Sequence, residues 1–218
     1  MNRPFLTSSA GVLLACLLLV PYSRAQGPDD ERNPSPAPGA PSAPLTQIKP
    51  LSVRQKLELY ARSTYGPTAF LGSAASAGVR QWLDSPPEWG QGAEGYGRRF
   101  ASVAGRRTIK KTIQFGVGAA LGEDPRYFRS EKAGAFPRAW HAIAHTFVVR
   151  RDDGTKTFAT SRFAGAFAAG FISNTWHPER LSDTNHALSR AGLTIASDAG
   201  SNLLKEFWPD LKRVLRRR

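Results

Sequence analysis

The sequence predicts a mainly α protein, a single compact helical bundle of about six helices with Gly/Ala-rich close-packed interfaces. Three observations predict it. Apolar residues recur three and four apart through most of the chain after Pro50. Breaks containing Gly and Pro cut that stretch into helix-sized pieces. Glycine and alanine also recur inside the helical patterns, where each Gly costs about 1 kcal/mol against Ala, and close approach of neighbouring helices supplies the reason. Beside the helices there is room for one short hairpin.

Residues 1–25 read as a signal peptide. Arg3 gives a positive start, Gly11 to Val20 is an uncharged apolar stretch ended by Pro21, and Ser23 and Ala25 put small residues where a signal peptidase reads them. Cleavage is expected after Ala25, which places the protein in the periplasm or against the outer membrane. The segment Leu13-Leu14-Ala15-Cys16 has the form of a lipoprotein box and offers a second route, acylation at Cys16. Leu17 to Val20 continue the apolar core beyond that cysteine, so removal of the whole leader is the leading expectation. Residues 26–50 carry seven prolines and almost no large apolar side chain, the composition of a disordered tether. Residues 51–218 remain as one helical domain, long enough to bury a core.

Cys16 is the chain's one cysteine, so the mature chain is expected to rely on packing without disulfides. Export also redirects the charge. Loss of Arg3 and Arg24 with the leader takes the net charge from +13 to about +11. The polyanions of an envelope are lipid headgroups and wall polymers, so these are the expected partners and nucleic acid is not.

The helices follow in order. Ser52 and Gln55 have capping-box spacing ahead of Val53, Leu57 and Tyr60, which predicts a first helix to Tyr65. Gly66-Pro67 ends it, and Pro67 opens a second helix to Leu83. A Gly-rich entry leads to a third helix, Arg106 to Leu121, with Ile109, Ile113, Val117 and Ala120 on one face and Arg107, Lys111 and Gln114 on another. Gly122 and Pro125 stop it. A fourth helix is expected from Pro137 to Phe147. The turn Arg150 to Gly154 then places Val148-Val149 against Thr155 to Phe158 as the hairpin. A fifth, Ser161 to Trp176, has Phe163, Phe167 and Phe171 four apart among small residues. A sixth runs from Asp183 to Phe207, and Pro209 opens a short C-terminal piece ending in Arg216, Arg217 and Arg218. The longest uncharged apolar stretch after the leader, Phe163 to Ile172, is too short to span a bilayer, so no transmembrane span is expected in the mature chain.

Several constellations are candidates for chemistry. Gly90, Gly92 and Gly95 fit the dinucleotide fingerprint, but Pro86-Pro87-Glu88-Trp89 stands where a strand is needed, so a flexible loop is expected and no cofactor. His141 and His145, four apart on a helix, are a candidate metal pair whose third ligand would come from His177, Glu179, Asp183 or His186. Glu123, Asp124, Arg126 and Tyr127 are candidate site residues, with a carboxylate as base for a hydrolase-like, small-ligand reaction. Arg98, Arg99, Arg106, Arg107, Lys110, Lys111, Arg216, Arg217 and Arg218 are candidate contacts to an anionic surface.

The run Trp89 to Phe100, then Glu123-Asp124-Pro125-Arg126-Tyr127-Phe128, Ser161-Arg162 and Glu206-Phe207-Trp208-Pro209-Asp210 together resemble an uncharacterised family of exported proteins of environmental bacteria. The resemblance implies that these clusters belong to one domain type. It assigns no activity. The leading expectation is therefore a non-enzymatic, membrane-associated envelope protein, with the enzyme and the metal-binding protein as alternatives.

Overall fold

The computed structural model describes residues 50–216. Residues 1–25, expected as a signal peptide, with Cys16, nearly all of the Pro-rich segment and the candidate contacts Arg217 and Arg218, lie outside the described residues. Six α-helices and one hairpin make up the domain: α1 Val53–Tyr65, α2 Pro67–Trp82, α3 Gly92–Leu121, α4 Ala135–Phe147, β1 Val148–Arg150, β2 Lys156–Phe158, α5 Thr160–Ile172 and α6 Thr184–Leu215. The strands pair antiparallel with Val149 opposite Thr157.

Local chemistry accounts for the boundaries. Ser52 and Gln55 form the capping box at the start of α1, and Asp183 accepts the His186 amide at the start of α6. Gly122 closes α3 in the left-handed conformation, φ 67°. Three boundaries differ from expectation by more than two residues. Helix α3 begins at Gly92, fourteen residues earlier than the sequence pattern indicates, because the glycines there turn the chain directly into the helix instead of forming a loop. Helix α5 stops at Ile172, and Ser173–Trp176 continues as a 3-10 turn. Helix α6 runs through Pro209 without a break. Arg138 of α4 brackets that proline by donating to the Glu206 carbonyl at 2.9 Å and pairing with Asp210 at 2.8 Å, so the ladder weakened by the missing N–H is braced from outside.

The long helix α3 is the centre, with α1, α2 and α5 packed on it, and α6 packs on α4 and α5. Glycine sets how close they come. A Cβ on Gly165 of α5 would stand 2.5 Å from the Lys110 carbonyl of α3, and one on Gly170 would stand 2.6 Å from the Ala187 carbonyl of α6. The interior is correspondingly made of small side chains: Ala69, Ala77, Ala142, Ala166, Ala187 and Ala191 are buried. Charged residues share it. Arg99 and Glu206 are each 0% exposed, and Lys56, Lys110, Arg162 and Arg190 are buried too. Large apolar side chains face outward instead, Trp82 at 85% exposure and Phe70, Leu71, Phe136 and Trp140 well exposed. Phe100, Ile109, Phe115 and Phe163 are half-buried between these two sets, so the fully buried interior, and not the whole packing, is unusually small and charged.

Candidate functional site

The loop from Gly122 to Gly134 leaves α3 and is pinned at both ends by groups the sequence supplies nearby. Its first residues join the hairpin, with the Asp124 amide donating to the Arg150 carbonyl at 2.8 Å and the Asp152 amide to that of Gly122 at 2.8 Å. Its later residues are held by α4 and α6. The Tyr127 hydroxyl donates to Glu206 at 2.8 Å, the Ser130 amide donates to the same carboxylate at 3.1 Å, and His141 Nε2 bonds the Phe128 carbonyl at 3.0 Å.

Fixed in this way, the loop walls a cavity of about 560 Å³, within the range of roughly 300–1,000 Å³ typical of small-ligand sites. Helix α1 contributes Lys56, Leu59, Tyr60 and Ser63, and α3 contributes Lys111, Gln114, Phe115 and Gly118, with Ala119 beside them. Both sets follow the i, i+3, i+4, i+7 spacing of one helix face. Tyr60 stacks on Phe115 with ring centroids 5.2 Å apart. The remaining wall comes from 123–129, Val149, Ala159, Ser161, Arg162 and Lys205.

The candidate acids Glu123 and Asp124 lie in this wall, both buried and both engaged. Glu123 accepts the Ser161 hydroxyl at 2.5 Å and its amide at 3.3 Å, holding the start of α5. Asp124 accepts from the Arg126 amide at 2.9 Å, its Nε at 3.0 Å and its Nη2 at 2.6 Å. Burial, followed by the bond to Glu206, pushes the Tyr127 phenol up, so it stays protonated. Glu206 is pushed up by desolvation, but bonds from Tyr127, Arg138 and the Ser130 amide outweigh this and hold it below the usual carboxylate range. These four candidates are thus brought to one cavity, each with its polar groups already committed within the protein.

His141 and His145 stand side by side on α4, ring centroids 6.1 Å apart. His145 packs edge-on against Tyr127 at 4.7 Å. No group of three or more His, Cys, Asp or Glu side chains able to hold a metal occurs among the described residues. Of the third ligands considered, His177 bonds the Ser173 carbonyl and lies against Trp89, while His186 pairs with Asp183 at 2.9 Å. The pair serves the 122–134 loop instead.

The candidate basic face does not form one outer surface. Helix α3 sits in the centre of the bundle, so most of its cations point into protein. Arg99 is fully buried and donates to the carbonyls of Ser85, Pro86 and Gly90 at 3.2, 2.8 and 2.6 Å, to Gln81 Oε1 at 2.7 Å and to Asp84 at 3.2 Å. It thereby organises the turn that the dinucleotide fingerprint occupies. Gly95 fits there because a Cβ would meet the Gly90 carbonyl at 2.2 Å. Lys110 is buried against Asp198 at 2.6 Å, Arg107 donates to the Ser63 carbonyl at 3.0 Å, and burial beside Arg80 and Arg190 lowers Arg106 to about 10. Lys111 faces the cavity. Arg98, paired with Glu94, and Arg216 remain on the outside.

Sequence reasoning missed Lys56, Ser161, Arg162, Lys205 and Arg138 as parts of this region. The stripe Lys56, Leu59, Tyr60, Ser63 carried a readable signal, since a lysine and a serine interrupt an otherwise apolar helix face. The clusters 123–128, Ser161-Arg162 and 206–210, distant in sequence, meet around the loop. No protein-family model matches this chain, and no curated protein or solved structure matches it.

Proposed function

We propose that the protein is a non-enzymatic, exported helical protein of a bacterial-type envelope that rests on an anionic membrane surface through the C-terminal half of α6. The supporting observation is the surface of that segment. Leu204, Trp208, Leu211 and Leu215 follow i, i+4, i+7, i+11 spacing and are all exposed. Lys212 and Arg216 run beside them, with the Lys212 ammonium 5.4 Å from the Trp208 ring. Its two acids are turned to the protein, Glu206 buried and Asp210 paired with Arg138. An apolar stripe containing Trp, flanked by cations, suits a helix lying in the plane of the headgroups. No described helix is long and apolar enough to cross a membrane.

Co-sedimentation of the full chain with phosphatidylglycerol vesicles tests the proposal. Each cation near an anionic surface contributes about 1 kcal/mol, so the double variant Lys212→Gln, Arg216→Gln should bind roughly thirtyfold more weakly at low salt. Trp208→Ala should weaken binding to neutral and anionic vesicles alike. Absence of binding at low salt, or binding unchanged in both variants, overturns the reading.

A further inference from the structure

We infer that the cavity between α1, α3, α5, α6 and the 122–134 loop is a binding site for a small amphiphilic anion, one carboxylate or phosphate head on an aliphatic or aromatic body. This goes beyond the membrane-surface reading and stands without it.

The body is specified by the walls. Leu59, Tyr60, Phe115, Phe128 and Val149 present apolar and aromatic surface to the cavity. The head is specified by an imbalance between the acids and the bases. Both acids in the wall are committed to neighbours, Glu123 to Ser161 and Asp124 to Arg126. Two of the bases are committed as well, Lys56 to Asp152 at 2.6 Å and Arg162 to the carbonyls of His145 and Thr146. The side chains of Lys111, Lys205 and the exposed Arg129 are different: none of the three makes a hydrogen bond or salt bridge with another described residue, and all line the cavity.

Their surroundings favour a negative guest. Burial, then repulsion from Lys110, lowers the Lys111 amine to about 8, with Lys205 and Arg107 adding to it against the pull of Asp198. Lys205, at the exposed edge of the wall, is lowered as well by partial desolvation and Arg162. Like charges gathered in a partly dehydrated wall repel, and an anion between them removes that repulsion. The Gln114 carboxamide lies in the same wall with its oxygen buried and without a hydrogen-bond partner. An amide can turn to present either its oxygen or its NH₂, so it suits a head bearing acceptors and a hydroxyl.

Calorimetric titration of the full chain below micellar concentrations tests this with five probes: dodecanoate, dodecyl phosphate, dodecanol, dodecyltrimethylammonium and inorganic phosphate. Both amphiphilic anions should bind one to one, and the other three at least tenfold more weakly. The ranking of the two anions identifies the preferred head, and either order supports the site. Lys111→Met and Lys205→Met should each weaken dodecanoate at least fivefold without lowering the melting temperature. Vesicle binding separates the two proposals, since Lys111→Met should leave it unchanged, and Lys212→Gln with Arg216→Gln should leave dodecanoate affinity unchanged. Dodecanol binding as tightly as dodecanoate, no binding of either anion, or unchanged affinity in both lysine variants overturns the inference.

Discussion

Replacing Arg99 by methionine keeps the length of the side chain and removes every donor it offers. The guanidinium is fully buried and satisfies five acceptors, three of them main-chain carbonyls in the turn between α2 and α3. Hydrogen bonds from a charged group contribute about 1.5–3 kcal/mol each, but their effects do not add when they share one side chain. Pro86 is buried, whereas Ser85, Gly90 and Asp84 lie at the surface and can regain water. The loss should therefore fall near the lower end of that for breaking a buried charged network, about 3–4 kcal/mol. For a domain of this size each kcal/mol moves the melting temperature by about 2–4 °C, so Arg99→Met should melt roughly 6–16 °C lower. Lysine restores the charge but not the planar fork, and Arg99→Lys should recover less than half of the loss. Thermal unfolding followed by circular dichroism checks both. A shift under about 2 °C for methionine, or full recovery by lysine, refutes the assignment of Arg99 as the organiser of the turn.

Gly165→Ala should destabilise by about 1–3 kcal/mol in urea unfolding, because its methyl meets the Lys110 carbonyl, whereas Gly192→Ala, with no atom within 4 Å of its added carbon, should gain about 0.5–1 kcal/mol. Burial lowers His145 and His177 to about 4 in the folded protein, so the unfolded chain takes up protons first as pH falls below about 6.5. The stability held above that pH should decline between about 6.5 and 4, with a slope approaching two protons, and His145→Gln should remove about half of it. Denaturant titrations at several pH values measure that slope, and a slope unaltered in the variant would contradict the burial argument.

Much of the architecture was legible because its signals are local. The capping box at Ser52, the Gly66-Pro67 break and the hairpin turn at 151–154 each act within a few residues. The start of α3 was not legible, since its glycines read as a break and the contact that makes them helical is Arg99 reaching back to Ser85. Pro209 misled in the same way, its brace being Arg138, far off in sequence. The basic face was misread for a different reason. Sequence patterns orient a helix by assuming that large apolar residues go inward, but here Phe167 and Phe171 face out while Gly165, Ala166 and Ala169 pack. Helix α3 is packed by α1, α2 and α5, so its cations meet protein on several faces. Glu123 and Asp124 were found, whereas the lysines that complete their cavity come from α1, α3 and α6, and only the folded chain brings them together.

The alanine and charged interior also bears on temperature. The heat capacity of unfolding rises with newly wetted apolar surface and falls with newly wetted polar surface. In this protein Leu71, Trp82, Phe136 and Leu215 already meet water in the native state, and the fully buried groups that unfolding uncovers are methyls, backbone and ions, beside half-buried Phe100, Ile109, Phe115 and Phe163. The two contributions offset one another more closely than they do over a core of leucine and phenylalanine. The stability curve should accordingly be shallower, and cooling should weaken the fold less, than in a protein held together by large buried side chains, as unfolding measured across temperature would show.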